Sequence, residues 1–167
     1  MGELSRVAAL VAATLAVGLM AGVFFAFTVA VMPGLARADD RTFVVTMQRI
    51  NVAIVNGWFL LAFLGALVLP ALAAALHLGR DARSVLPWAI AGFVLYAVTM
   101  IVTVRLNIPL NNQLDSAGDP DSIADLAAVR ERFEATWVRW NLVRTLTSTA
   151  ALGCLAWGLV VHGRLPT

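Results

Sequence analysis

Four stretches of this chain, Val7–Met32, Val52–Leu78, Val85–Leu106 and Leu142–Val161, are long and apolar enough to cross a lipid bilayer. A transmembrane helix needs about 20 mostly apolar residues, and a helix satisfies all its backbone N–H and C=O groups within the segment, as hydrocarbon demands. The feature therefore predicts an all-α, integral membrane four-helix up-down bundle, a single membrane domain over residues 1–167. Composition agrees: 13% of the residues are charged, about half the share of a soluble domain. Arg6 and the small-x-small triplet Ala36-Arg37-Ala38 flank the first stretch as they would a cleaved leader. The apolar run is longer than the roughly 7–15 residues of a signal peptide, so it is read as a retained span.

Charge and cysteine usage exclude several function classes. Twelve basic residues face ten acidic ones, with no basic stripe interleaved with aromatics, so the chain is not a nucleic-acid binder. All twelve are Arg, which with the abundant Ala, Gly and Val suggests a GC-rich bacterial source and an inner (plasma) membrane location. The lone Cys154 lies inside an apolar run and is read as packing. No Gly-rich nucleotide fingerprint occurs, and Gly18 and Gly22 read as a small-xxx-small helix contact. No inverted repeat suggests a transporter. No His/Asp/Glu cluster has metal-ligand spacing, apart from the topological option of a haem between His77 and His162, which end two helices at one face. No cofactor is expected.

The connections are unequal. Asp39 is a candidate N-cap for a helix through Arg37–Gln48. Pro109 lacks an N–H and should end or kink the third helix. Gly118-Asp119-Pro120 marks a loop, after which Asp121 or Ser122 should cap an amphipathic interfacial helix within a segment at 112–137. A straight helix from there through the last span would be about 60 Å long, so a bend is expected near Trp137. The short second connection, "HLGRDARS", is basic, which favours cytoplasmic termini.

In an up-down bundle the first and third connections share one face, and there the polar residues concentrate. On the last helix Asn141, Arg144, Thr145 and Ser148 fall at i, i+3, i+4, i+7 and form one stripe, with Trp137 on the same face and Arg139 elsewhere. On the third helix Tyr96, Thr99, Thr103 and Asn107 form a second stripe, with Arg105 opposite. An interfacial tryptophan belt accounts for Trp137 and Trp140. It does not account for Asn141 and Arg144, because an intramembrane guanidinium is costly and marks function by default.

"AGVFFAFTVAVMPGL" (Ala21–Leu35), "MQRIN" (Met47–Asn51), "NIPLNNQL" (Asn107–Leu114) and "WVRWNLVRT" (Trp137–Thr145) resemble the anthrone oxygenase family of small four-span membrane proteins. The family's polar signature maps onto Asn51, Pro109, Asn112, Trp140, Asn141, Arg144 and Thr145. Many members carry His at the position of Leu142, so this chain departs from the pattern there. The resemblance implies a cofactor-independent oxygenase whose partners are O2 and a hydrophobic, enolisable polycyclic aromatic held within the lipid bilayer. In that reading Arg144, Asn141 and Asn112 are catalytic, serving the carbonyl and its developing oxyanion. Asn51, Asn107, Phe24, Phe25, Trp137, Trp140 and Thr145 form the substrate-binding walls. Asp39, Asp40 and Asp115, the carboxylates nearest the site, lie in connections, so the proton acceptor stays open, as does homo-oligomerisation. Two alternatives stand beside this one. The pocket binds a quinone, polyketide or lipid without turnover, or Arg144 is paired with a first-connection Asp and serves only bundle register.

Overall fold

The computed structural model describes residues 2–165, so the expected domain limits at 1 and 167 lie just outside the described residues. The described residues form five helices: α1 (Glu3–Leu35), α2 (Asp40–Ile54), α3 (Gly57–Leu76), α4 (Leu86–Ser116) and α5 (Leu126–His162). A 3-10 turn at Arg80–Ala82 sits in the second connection. All but α2 are long and apolar enough to span a membrane. In the four-span bundle α1 packs on α3 and α5, and α4 packs on α3 and α5, closing a ring of antiparallel neighbours.

The helices differ in length, and the difference positions the site. The 20 residues of α3 span about 30 Å, the thickness of the hydrocarbon layer. The 33, 31 and 37 residues of α1, α4 and α5 reach about 45–55 Å at 1.5 Å per residue. At one end the helices are level, because His77, which caps α3, meets His162 at the end of α5 with Nε2 and Nδ1 3.1 Å apart. All the excess therefore projects from the other end. There α2 packs on α4 and α5, around a second core of Phe43, Met47, Leu114, Phe133 and Trp137. The amphipathic segment expected before the last span is the projecting half of α5, continuous with the span: α5 is α-helical throughout, with no interruption at Trp137.

Several boundaries differ from the sequence expectation, each for a local reason. Asp39 does cap α2, accepting from the Thr42 amide at 2.9 Å. The cap of α5 is Asp125, bonded to the Ala128 amide at 2.9 Å. Asp121 is engaged by Arg41, and Ser122 turns back onto the Asp119 carbonyl, so neither is free to cap. The second span starts at Gly57, because Asn56 caps it through the Phe59 amide, and Val52–Ile54 complete α2 instead. Helix α4 passes through Pro109 without ending. The five residues Thr103–Asn107 widen into a π turn, and Ile108 N–H donates to the Thr103 carbonyl. This places Pro109 in the first turn of a new α segment, where a missing N–H costs least. The same device, Phe27–Val31, precedes Pro33 in α1. π turns of this kind often accompany functional sites, and both lie at the level of the cavity described below.

Two other expectations fail at the level of packing. The pair Gly18 and Gly22 is not the close helix contact: a Cβ at Gly22 would meet nothing within 4 Å, and one at Gly18 would make an ordinary 3.5 Å contact with Leu152. The close approach is Gly92 on α4 against α5, where a Cβ would lie 2.8 Å from Leu155 Cγ. The haem option also fails. A metal needs about 2 Å to each nitrogen, whereas the facing His77 and His162 nitrogens touch at 3.1 Å and His77 Nδ1 is bonded to the Ala73 carbonyl. We predict that Gly92→Ala costs about 1–3 kcal/mol through overpacking, while Gly22→Ala leaves stability unchanged or raised. Thermal unfolding of the two variants in detergent checks this.

Candidate functional site

The polar stripe of α5 faces inward as its spacing requires: Asn141, Arg144, Thr145 and Ser148 are all buried. Each of them is tied down. Asn141 Nδ2 reaches across to α1, donating to the Thr28 hydroxyl at 2.8 Å and to the Phe24 carbonyl at 3.1 Å. Thr28 and Thr145 join their hydroxyls at 2.8 Å, and Ser148 donates back to the Arg144 carbonyl at 2.6 Å. The second stripe, on α4, is buried too. From it Asn107 Nδ2 donates to the Trp137 carbonyl, and one turn on Asn111 Oδ1 accepts the Trp137 indole N–H at 2.8 Å. Trp137 is thus fixed in orientation from α4, and Asn141 from α1.

Between these fixed groups lies Arg144, 6% exposed. Its Cζ sits 4.6 Å from the Phe24 ring centroid and 5.1 Å from that of Trp137. Its Nη2 donates to Asn141 Oδ1 at 2.8 Å, while its Nε is buried with no partner. Among the described residues no carboxylate pairs with it. The ion pairs among the described residues are Arg6–Asp81, Arg41–Asp121, Arg130–Asp40 and Arg130–Glu134. Asp40 is thereby engaged, and the Thr42 amide and hydroxyl hold the Asp39 carboxyl below its ordinary range. The expected pairing of Arg144 with a first-connection Asp is not formed. Depth explains how the charge is tolerated: Arg144 is 18 residues before His162, about 27 Å along the helix, so it lies just inside the polar edge of the hydrocarbon layer.

Arg144 opens onto a cavity of about 240 Å³. A cavity of about 150 Å³ holds one benzene ring, so a larger aromatic fits. Phe27, Phe59 and Phe63 form its apolar walls, while Asn51, Asn111, Asn141 and Arg144 supply the polar side. Two of these carry buried donors without partners, Asn51 Nδ2 and Arg144 Nε. No Asp, Glu or His is among the lining residues. The cavity therefore presents ring-sized apolar space with a hydrogen-bond-donating, cationic end, suited to an aromatic molecule bearing an electron-rich oxygen.

A sequence model described as anthrone oxygenase matches residues 58–154, more than half of the chain. The chain belongs to the anthrone oxygenase family. No curated protein and no solved structure matches it. The anthrone oxygenase match contains Asn111, Trp137, Asn141 and Arg144, and leaves Phe24 of α1 and Asn51 of α2 outside.

Of the residues singled out from the sequence, Arg144, Asn141, Asn51, Phe24 and Trp137 line the cavity. Thr145 and Asn107 stand behind it, holding Thr28 and Trp137. Three are not brought there. Phe25 is 54% exposed, one helical step of about 100° from Phe24. Asn112 is exposed, because the stripe of α4 continues from Asn107 to Asn111 at i+4. Trp140 is half-buried, about 60° around the helix from Trp137, and does not line the cavity. The residues the sequence reading missed are Asn111, which that i+4 step points to, and the wall residues Phe27, Phe59 and Phe63. Leu142, where many anthrone oxygenase relatives have His, is 45% exposed and outside the cavity, so a histidine there would not face this site. An unpaired buried cation weakens a fold, and apolar replacements of buried ionic groups are often neutral or stabilising by about 1–4 kcal/mol. We predict that Arg144→Met does not lower the thermal midpoint in detergent while weakening binding of an anthrone or anthraquinone, read by tryptophan quenching.

Proposed function

We propose that this protein is a membrane-embedded, cofactor-independent oxygenase that converts an enolisable polycyclic aromatic ketone of the anthrone type with O2. The observation that carries the reading is the uncompensated Arg144 guanidinium facing an aromatic-walled cavity. Family membership supports oxygenase chemistry, and the cavity supports this class of substrate.

The chemistry balances without a further reductant. Loss of one proton from the anthrone methylene gives an enolate whose charge rests on the carbonyl oxygen. The enolate passes one electron to O2. The carbon radical and superoxide combine, and a returning proton gives the hydroperoxide. Loss of water then leaves a second carbonyl, so one atom of O2 enters the product and the other leaves as water. Arg144 pairs with the enolate oxygen and favours ionisation, a preorganised donor in a dry site. The Asn51 amide offers a second donor. Phe27, Phe59 and Phe63 hold the rings, and Asn141 keeps Arg144 aimed. With no carboxylate or imidazole lining the cavity, ionisation relies on the substrate's own acidity enhanced by the cation.

The setting we infer is the inner membrane of a bacterium, with both termini cytoplasmic, from the basic second connection and the Arg-only composition. The test is O2 consumption by the purified protein with a stable anthrone. Stoichiometric uptake that falls by about 10²–10³-fold in Arg144→Ala, the scale of losing one oxyanion donor, supports the enzyme. Uptake at the uncatalysed rate with ligand binding retained identifies a binding protein instead.

A further inference from the structure

The cavity is walled on most sides, and the exception lies where one corner of the bundle is interrupted. Helix α2 stops at Ile54 and α3 starts at Gly57. Val55, in the break between them, lines the cavity and is also 65% exposed. Leu60 on α3 and Ile108 on α4 likewise line the cavity and are each 40% exposed. The three form an apolar rim. The surface beside it is apolar as well, with Val52 exposed and Trp58 83% exposed. Toward the projecting end the cavity meets Trp137, held by Asn111 and backed by Phe133 and Met47. Leu60 is four residues past the Asn56 cap, about 6 Å into α3, and an exposed tryptophan at Trp58 suits the membrane–water boundary. The mouth therefore faces the outermost hydrocarbon.

We propose that the cavity is filled sideways from the bilayer through this mouth, and that Val55, Leu60 and Ile108 control passage of an uncharged aromatic ketone dissolved in the lipid. This rests on the cavity being the ligand site, and not on turnover. An apolar rim admits a neutral ring system from hydrocarbon and opposes a permanently charged one, which loses hydration at the rim before it reaches Arg144. The order of events follows: the ketone enters neutral and ionises only once it is beside the guanidinium.

The test uses full-length protein in phosphatidylcholine vesicles and anthraquinone, which lacks the methylene and is not turned over. Stopped-flow tryptophan quenching gives its association and dissociation rates. A rim variant narrowing the mouth, Val55→Trp with Ile108→Trp, is expected to slow both association and dissociation, each by about tenfold. Val55→Ala with Ile108→Ala is expected to speed both, which guards against misfolding of the bulkier variant. Anthraquinone-2-sulfonate is expected to bind far more slowly than anthraquinone. Rates untouched by either rim variant, or a sulfonate that binds as fast as the parent, overturn lateral loading. Absence of saturable anthraquinone binding by the unaltered protein overturns the loading and the ligand-site reading together. Rim-controlled binding with no O2 uptake from anthrone overturns the oxygenase reading alone and leaves the mouth standing.

Discussion

A guanidinium without a counterion, held between two aromatic rings at the edge of the hydrocarbon layer, is the constraint around which the polar groups of the site are arranged. Placing Arg144 there carries a desolvation cost of several kcal/mol. Contacts with Phe24 and Trp137 return about 0.5–2 kcal/mol each, and the bond from Nη2 to Asn141 satisfies one donor. To be useful those partners must not move, and each is anchored on a different helix. Asn141 is pinned to α1 through Thr28 and the Phe24 carbonyl, and Trp137 to α4 through Asn111. The arrangement leaves Arg144 Nε and the Asn51 amide, on two residues that line the cavity, buried and unpaired.

Helix length decides where that cavity lies. Three helices outrun the bilayer on one side, while the fourth corner is covered by the short α3 and, beyond a break, by α2. The excess lengths build a second apolar core above the site, which shields Arg144 from bulk water. The break leaves a gap at the membrane edge. The two π turns, each just before a proline, keep α1 and α4 continuous through this level.

Much of this was legible in the sequence because helical spacing is a strong constraint. The stripes at Asn141, Arg144, Thr145, Ser148 and at Tyr96, Thr99, Thr103, Asn107 are buried as their phase requires, and Arg105 and Arg139 are exposed. Phase also exposes the weaker inferences. Phe25, Asn112 and Trp140 came from motif text, and each lies off the inward line, whereas Asn111 lies on it. What spacing does not encode is contact between distant segments. The freedom of Arg144 from Asp39 and Asp40 depends on Thr42 and Arg130 engaging those carboxylates. The close approach at Gly92 depends on which residue of α5 faces it. The start of α3 at Gly57 depends on Asn56 outcompeting an apolar run for control of the helix end.

The most direct measurement is the ionisation of an unreactive aromatic acid, 1-naphthol, bound to the protein in phosphatidylcholine vesicles and followed by absorbance against pH. If Arg144 stabilises an aromatic oxyanion in the cavity, bound naphthol ionises at least about one pH unit below naphthol in protein-free vesicles, one unit being about 1.4 kcal/mol. The shift then disappears in Arg144→Met. A bound naphthol that ionises at the same pH as in protein-free vesicles contradicts an oxyanion-stabilising role for Arg144.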